Sequence, residues 1–251
     1  MRQQGIDTKA GVLEEECRSL NEAHFKYMAA GVPLVTVKFA QTLDGRIATS
    51  TGNSQWLSSP ASQRFAHKLR ALNDAIMVGV GTILTDNPQL TVRLARGRNP
   101  TRIVLDSKLR IPPDSKVLMN QESAPTIIAT TSHANDERLS ALRQMGIEAL
   151  ITQEDKRGEG DLGNLLKMLG QRGISSVLVE GGAQTITSLL RLNLVDRLVV
   201  IVAPKLMGKG IGAVGELNIT DVSQTLKLSF SRTYRLGEDL IIEARPEPTH
   251  S

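Results

Sequence analysis

Short runs of aliphatic and β-branched residues recur along this chain, and most are followed by a segment of helical periodicity before the next run begins. Strands are expected at 34–39, 75–80, 101–105, 126–129, 147–151, 176–179 and 197–202. Helices are expected between them at 136–145, 162–172 and 184–192. A further helix starts at Ser59-Pro60, where the serine can cap and the proline fits the first turn, with Phe65, Leu69 and Leu72 on one apolar face. Strand and helix in alternation build βαβ units, so the expected class is α/β with a mostly parallel sheet flanked by helices. Segments 226–234 and 239–244, joined by Arg235-Leu236-Gly237-Glu238, depart from this pattern and read as a C-terminal hairpin, which places an antiparallel edge on the sheet. The stretch 41–55, rich in Thr, Ser and Gly, and the Pro-containing stretch 106–114 are expected to be loops.

Upstream of the first strand, a helix is expected over 13–27, with Leu13, Cys17, Leu20 and His24 on one face and Gly31 and Pro33 ending it. Residues 1–31 therefore read as an extension, 32–246 as one domain and 247–251 as a tail. A chain of 251 residues, 40% hydrophobic and 22% charged, can bury a core of that size.

Composition excludes several classes. Lys plus Arg exceed Asp plus Glu by only 30 to 26, without a block of five or six like charges, and four Phe, one Trp and two Tyr are too few to interleave with basic residues and stack bases. Nucleic acid is not an expected partner; small anions suit the basic balance better. Cys17, the single cysteine, cannot form an internal disulfide or a Cys-rich zinc site, and His24, His67, His133 and His250 lack ligand spacing, so no metal is expected. The N-terminus has no apolar core of a signal peptide and no membrane span, which together with the cysteine count points to a soluble, cytoplasmic protein.

Three constellations carry chemistry. In Val177-Leu178-Val179-Glu180-Gly181-Gly182-Ala183-Gln184-Thr185 a strand runs into paired glycines and a helix, which presents backbone N–H groups and the positive end of a helix dipole to an anion. This is a dinucleotide cradle without Rossmann spacing, with the Glu180 carboxylate beside it; a ligand-free glycine turn is the alternative. The segment Gly79-Val80-Gly81 followed by a strand and Asp106 imitates a Rossmann fingerprint, but the third glycine falls on Leu84 and Asn87-Pro88 cuts the helix short. Gly79, Gly81 and Thr82 still suit a cofactor groove, and Ser107, Lys108 and Arg110 suit a 2′-phosphate or are solvated loop residues. The third group is Lys38, Asp44, Ser54, Trp56, Arg70 and Arg93. A lysine inside an apolar strand either serves a reacting centre or snorkels from an edge strand. Arg70 and Arg93 either clamp a phosphate or are solvated, and Trp56 either covers a nicotinamide or fills core.

The segments 38–48 and 51–56, Leu69-Arg70-Ala71 with Asp74-Ala75-Ile76, Gly79-Val80-Gly81-Thr82 with Asp86-Asn87-Pro88, Val104-Leu105-Asp106-Ser107 and Val179-Glu180-Gly181-Gly182 resemble, in order and spacing, the reductase domain of the bacterial riboflavin-biosynthesis protein RibD. The resemblance runs from about residue 32 to 244. It implies a dihydrofolate-reductase-like fold and NADPH-dependent reduction of the ribosyl group of 5-amino-6-(5-phosphoribosylamino)uracil. By motif position it implies that Ala40, Trp56, Thr82, Asp86, Ser107, Gly182, Ala183, Gln184, Thr185, Ile186, Thr187 and Ser188 contact NADPH. Ser54, Arg70, Leu90, Arg93 and Glu180 would contact the substrate, the arginines through its phosphate, with Lys38 and Glu180 as the catalytic pair. The resemblance further suggests a homodimer, with the exposed face of the hairpin as a contact. The His-x-Glu and Pro-Cys-x-x-Cys signature of the deaminase domain that precedes this reductase in the bifunctional protein is absent, while residues 11–27 resemble the tail of that domain. A separate deaminase is then expected in the same pathway, and the undeaminated 2,5-diamino-pyrimidinone becomes the alternative substrate. A non-catalytic NADPH-binding relative and a pterin reductase are weaker alternatives, because neither uses the full set of Lys38, Glu180, Arg70 and Arg93.

Overall fold

The computed structural model describes residues 2–247, so His250 and the end of the expected tail lie outside the described residues. Nine strands form one sheet, and the expected mostly parallel arrangement with a terminal antiparallel hairpin is what the chain adopts. In chain order the strands are β1 (Leu34–Thr42), β3 (Ala75–Gly79), β4 (Thr101–Leu105), β5 (Thr126–Thr130), β6 (Glu148–Ile151), β7 (Ser176–Glu180), β8 (Arg197–Ala203), β10 (Leu228–Leu236) and β11 (Asp239–Pro246). Two short strands, β2 (Arg46–Thr49) and β9 (Gly210–Gly212), pair separately. The sheet order is β10-β11-β8-β1-β7-β3-β4-β5-β6, antiparallel only at the β8–β11 and β10–β11 ladders. The chain leaves β1 and crosses past β7 to β3, then leaves β7 and crosses past β1 to β8. Such a reversal opens a crevice beyond the carboxyl ends of the central strands.

Alternation along the strands assigns residues to the two faces. Val35, Val37 and Phe39 of β1, Ala75 and Met77 of β3, and Val177 and Val179 of β7 face one cluster, covered by α6 (Leu162–Gln171) and α7 (Ala183–Arg191) through Leu165, Leu169, Ile186 and Leu189. Ile76 and Val78 face the opposite side, under α4 (Val80–Asp86) and α5 (Asp136–Gln144). A third cluster joins Val199, Ile201 and Ile241 to Phe65 and Leu69 of α3 (Pro60–Leu72). Leu72, expected on that apolar face, is instead 76% exposed, because it lies past the last turn that the hairpin covers. The start of α3 is as expected: Ser59 Oγ accepts from the Ser62 amide, and Ser59 itself donates to Asp239 Oδ2 at the head of β11.

Several expectations are corrected. The N-terminal helix is two, α1 (Glu14–Leu20) and α2 (Glu22–Ala30), broken at Asn21, whose side-chain amide donates to the Cys17 carbonyl. Neither helix buries a residue, and Leu20 is 86% exposed, so the expected apolar stripe packs on nothing among the described residues. Polar ties hold α2 to the body of the domain instead: Lys26 with Asp196 just before β8, Glu22 with Arg245 of β11, and Tyr27 Oη donating to the Gly170 carbonyl of α6. A side chain at Gly170 would overlap the Gly31 carbonyl oxygen, so only glycine allows α6 this close to the end of α2.

The loop expected at 41–55 contains the end of β1 and all of β2, whose partner β9 lies far along the chain. The hairpin turn is two residues, Gly237-Glu238, rather than four, since Arg235 and Leu236 continue the ladder and Gly237 supplies the left-handed position. Its strand β10 is the sheet edge, with Phe230 exposed. Among the described residues no helix is long and apolar enough to cross a membrane, and no group of three or more His, Cys, Asp or Glu is placed to hold a metal ion.

Candidate active site

Register brings the two central side chains together. Lys38 of β1 pairs across the ladder with Glu180 of β7, and both point to the α3 side, away from the cluster that holds Val37 and Val179. β1 lies between β7 and β8, so Lys38 is on a central strand and the edge-strand alternative falls. Its Nζ is 3.7 Å from Glu180 Oε2. From α3, Arg70 reaches down to meet Glu180 with two hydrogen bonds, Nε to Oε1 at 2.7 Å and Nη2 to Oε2 at 2.9 Å, while Nη1 donates to the Thr91 carbonyl. Burial alone would raise the Glu180 carboxyl, but Arg70 and Lys38 overcome it and hold it down at about 2. Glu180 is therefore a carboxylate at neutral pH, an acceptor with no proton to give.

This cluster lies in a cleft of about 940 Å³ at the carboxyl ends of β1, β3 and β7. The cleft wall contains Ala40, Ser54 and Trp56 from β1 and the segment after β2, Thr82 and Asp86 from α4, and Leu90 and Arg93 from the segment beyond. Arg93 is exposed, and its guanidinium donates to Gln89 Oε1 at 2.5 Å. The two arginines expected to act alike are thus divided: Arg70 is committed to Glu180, and Arg93 keeps its guanidinium toward solvent. Trp56 is 71% exposed at the rim, which removes the core-filling alternative.

The glycine loop forms as its residue types require. Gly181 and Gly182 have φ of +87° and +76°, a region that side chains rarely adopt, and both lie beside Thr82. Helix α7 starts at Ala183 without a side-chain cap, and so does α4 at Val80, at the ends of neighbouring strands. The first N–H groups of both helices lack an intrahelical acceptor, so two positive helix ends converge on one stretch of the cleft.

Only the first turn of α7 belongs to this wall. Gly182, Ala183, Gln184 and Thr185 line the cleft; Ile186 is fully buried in the core, and Thr187 bonds the Ala183 carbonyl and the Gly215 amide, because a helix turns its next residues away. Ser188 and Ser107 are likewise outside the cleft wall; Ser107 accepts from the Gly160 amide through Oγ and from Thr130 and Thr131 through its carbonyl. Asp44 also leaves the group expected to carry chemistry: it accepts the Met207 and Gly208 amides, and hydrogen bonds led by Thr42 lower its carboxyl to about 2.

Among the wall residues that sequence reading missed, two carry titratable side chains, Lys116 and His67. Lys116 comes from a separate loop, tied to the site when its amide donates to Asn87 Oδ1. His67 gave a usable signal, since it lies one turn before Arg70 on α3. Burial first, then the charges of Arg70 and Arg93, depress its imidazole to about 4. Its proton is taken up by the unfolded chain near the ordinary 6.5 and refused by the folded chain until about 4, so stability falls as pH drops through that window and is unaffected above it. Urea unfolding at pH 7 and pH 5 should show a lower midpoint at pH 5, and His67→Asn should shrink that difference; an equal difference in the variant refutes the assignment.

The model of the RibD C-terminal domain matches residues 33–242. The chain is 42% identical over 243 residues to the riboflavin biosynthesis protein RibD of Aquifex aeolicus, covering 96% of this chain and 66% of that protein. It is 40% identical over 217 residues to the 2,5-diamino-6-ribosylamino-4(3H)-pyrimidinone 5′-phosphate reductase of Methanothermobacter thermautotrophicus, covering 84% of this chain and 97% of that one. A solved deaminase/5-amino-6-(5-phosphoribosylamino)uracil reductase of Thermotoga maritima superposes with a TM-score of 0.82 at 33% identity, over 98% of this chain and 66% of that chain. The chain thus spans just under two thirds of the length of the Aquifex and Thermotoga proteins.

Proposed function

The chain belongs to the family of RibD C-terminal domains, and from that premise we propose that it is an NADPH-dependent reductase of riboflavin biosynthesis acting on the ribosyl group of 5-amino-6-(5-phosphoribosylamino)uracil. The observation that carries this reading is the cluster of Lys38, Glu180 and Arg70 in a cleft that also holds Arg93 and two uncapped helix starts. Three cations against one carboxylate suit a phosphorylated substrate.

A dinucleotide fits the other part of the cleft. Side chains at Gly181 and Gly182 would fill the space beside Thr82, and the free N–H groups of α4 and α7 are donors suited to a pyrophosphate. Thr82, Asp86 and Gly182 to Thr185 would hold it, with Ala40 and the exposed Trp56 toward the reacting end. When bound, NADPH supplies the hydride. Lys38 directs its ammonium hydrogens at the sugar oxygen on which charge develops, and the Glu180 carboxylate accepts from sugar hydroxyls and keeps Lys38 in place. Ser54 and Leu90 shape the substrate's side of the cleft, and Arg93 takes the phosphate.

Mixing the protein with NADPH and this substrate should bleach the reduced-nicotinamide absorbance, and no loss of absorbance sinks the reading. Arg93→Ala should raise KM for the substrate about 10- to 100-fold while NADPH affinity stays within about threefold. One observation favours a second substrate: the Methanothermobacter relative, almost all of which the chain covers, is named for the undeaminated diamino-pyrimidinone. Comparing kcat/KM on the deaminated and undeaminated compounds decides between them.

A further inference from the structure

His67 is the one imidazole on the cleft wall, and nothing above gives it a part in the reaction. The residue is only 6% exposed. Nδ1 accepts the backbone amide of Arg93 at 2.9 Å, with the Leu94 amide a longer second donor at 3.4 Å. A ring nitrogen that accepts from an amide carries no hydrogen, so the hydrogen of the neutral ring is on Nε2. Nε2 has no partner among the described residues and is absent from the buried, unpartnered polar atoms, which are Arg102 Nε, Asp106 Oδ1 and Arg191 Nε. Nε2 therefore retains some accessible surface, on a residue that lines the cleft. Burial first, and then the cations Arg70, Arg93 and Lys38 against the opposing Glu180 carboxylate, keep the ring neutral down to about pH 4.

We propose that His67 binds and positions the phosphorylated end of the substrate: Nδ1 fixes the backbone of Arg93, and so the place of its guanidinium, while the Nε2 hydrogen is donated to the phosphate. The inference rests on the reading above, in which Arg93 meets that phosphate. A ring with its lone pair spent on an amide is no general base, so His67 belongs to binding rather than to proton transfer.

His67→Asn separates the two tasks, because the asparagine oxygen can replace Nδ1 as the acceptor for the Arg93 amide but nothing replaces the Nε2 hydrogen. Calorimetric titration with ribose 5-phosphate should give a Kd about tenfold higher for the variant than for the parent, with NADPH bound equally by both. With the full substrate the same change should appear in KM, with kcat within about twofold. Equal affinity for ribose 5-phosphate, or an equal loss for NADPH, overturns the inference and leaves the reductase reading standing. A parent that binds ribose 5-phosphate tenfold better than the variant yet oxidises no NADPH overturns the reductase reading and leaves the anion site standing. Long-range ¹H–¹⁵N spectra of the parent should show the Nε2–H tautomer from pH 5.5 to 8; a ring that titrates within that range also overturns the assignment.

Discussion

Arg70→Met is expected to lower stability by about 3–5 kcal/mol and to abolish turnover, the largest combined loss of any single change in the cleft. The side chains of Arg70 and Glu180 are 13% and 11% exposed, and Arg70 supplies both short hydrogen bonds to that carboxylate. Removing it leaves a buried charge whose nearest cation, Lys38, stands at 3.7 Å, and it also strips a donor from the Thr91 carbonyl. The cost lies in the stranded carboxylate more than in the lost attraction, so the triple variant Arg70→Met/Glu180→Leu/Lys38→Met, which leaves none of these three charges unpaired, should regain most of the stability and none of the activity. Urea unfolding and single-turnover NADPH oxidation measure the two. A single variant that stays within about 1 kcal/mol of the parent contradicts the account of a buried pair.

Lys38→Met should do the opposite, leaving the fold nearly intact while turnover falls by about 10²- to 10⁴-fold, the range for loss of a positioned proton donor or of a hydrogen bond to developing charge, if Lys38 acts on the sugar oxygen as proposed. Glu180 keeps its two hydrogen bonds from Arg70 in this variant, and the methionine occupies the same space in a central strand. NADPH affinity should change by less than about threefold, because the helix starts of α4 and α7 are untouched. Turnover within tenfold of the parent would remove Lys38 from the chemistry. Together the two variants separate a residue that holds the site together from one proposed to act on the substrate.

Much of this arrangement is local in origin and legible without a structure. Strand and helix periodicity, the cap at Ser59-Pro60, the terminal hairpin and the left-handed demand at Gly181-Gly182 are all set by neighbours within a few residues. Even the oddity of Lys38 in an apolar run is a sequence property. Pairing across distance is not. Whether β1 was central or at an edge depended on β7 and β8, and β2 was unreadable because its partner β9 lies more than 150 residues away. Likewise, helical spacing could name the N-terminal apolar stripe but not whether anything would cover it.

The sequence by itself determined the α/β class, the family and the residue types that meet in the cleft, because propensity, turn chemistry and motif spacing are written along the chain. Only the tertiary structure decided their partners. Arg70 and Glu180 are 110 positions apart, and their pairing turns one expected phosphate ligand into the counter-ion of the other site residue. It is the same packing that sends Ile186 inward, ties Ser107 to Gly160, and gives His67 a fixed tautomer by placing the Arg93 amide against Nδ1. Charge and hydrogen bonding act over a few ångströms of space, whatever the distance along the chain, so roles that depend on them emerge only when the fold is closed.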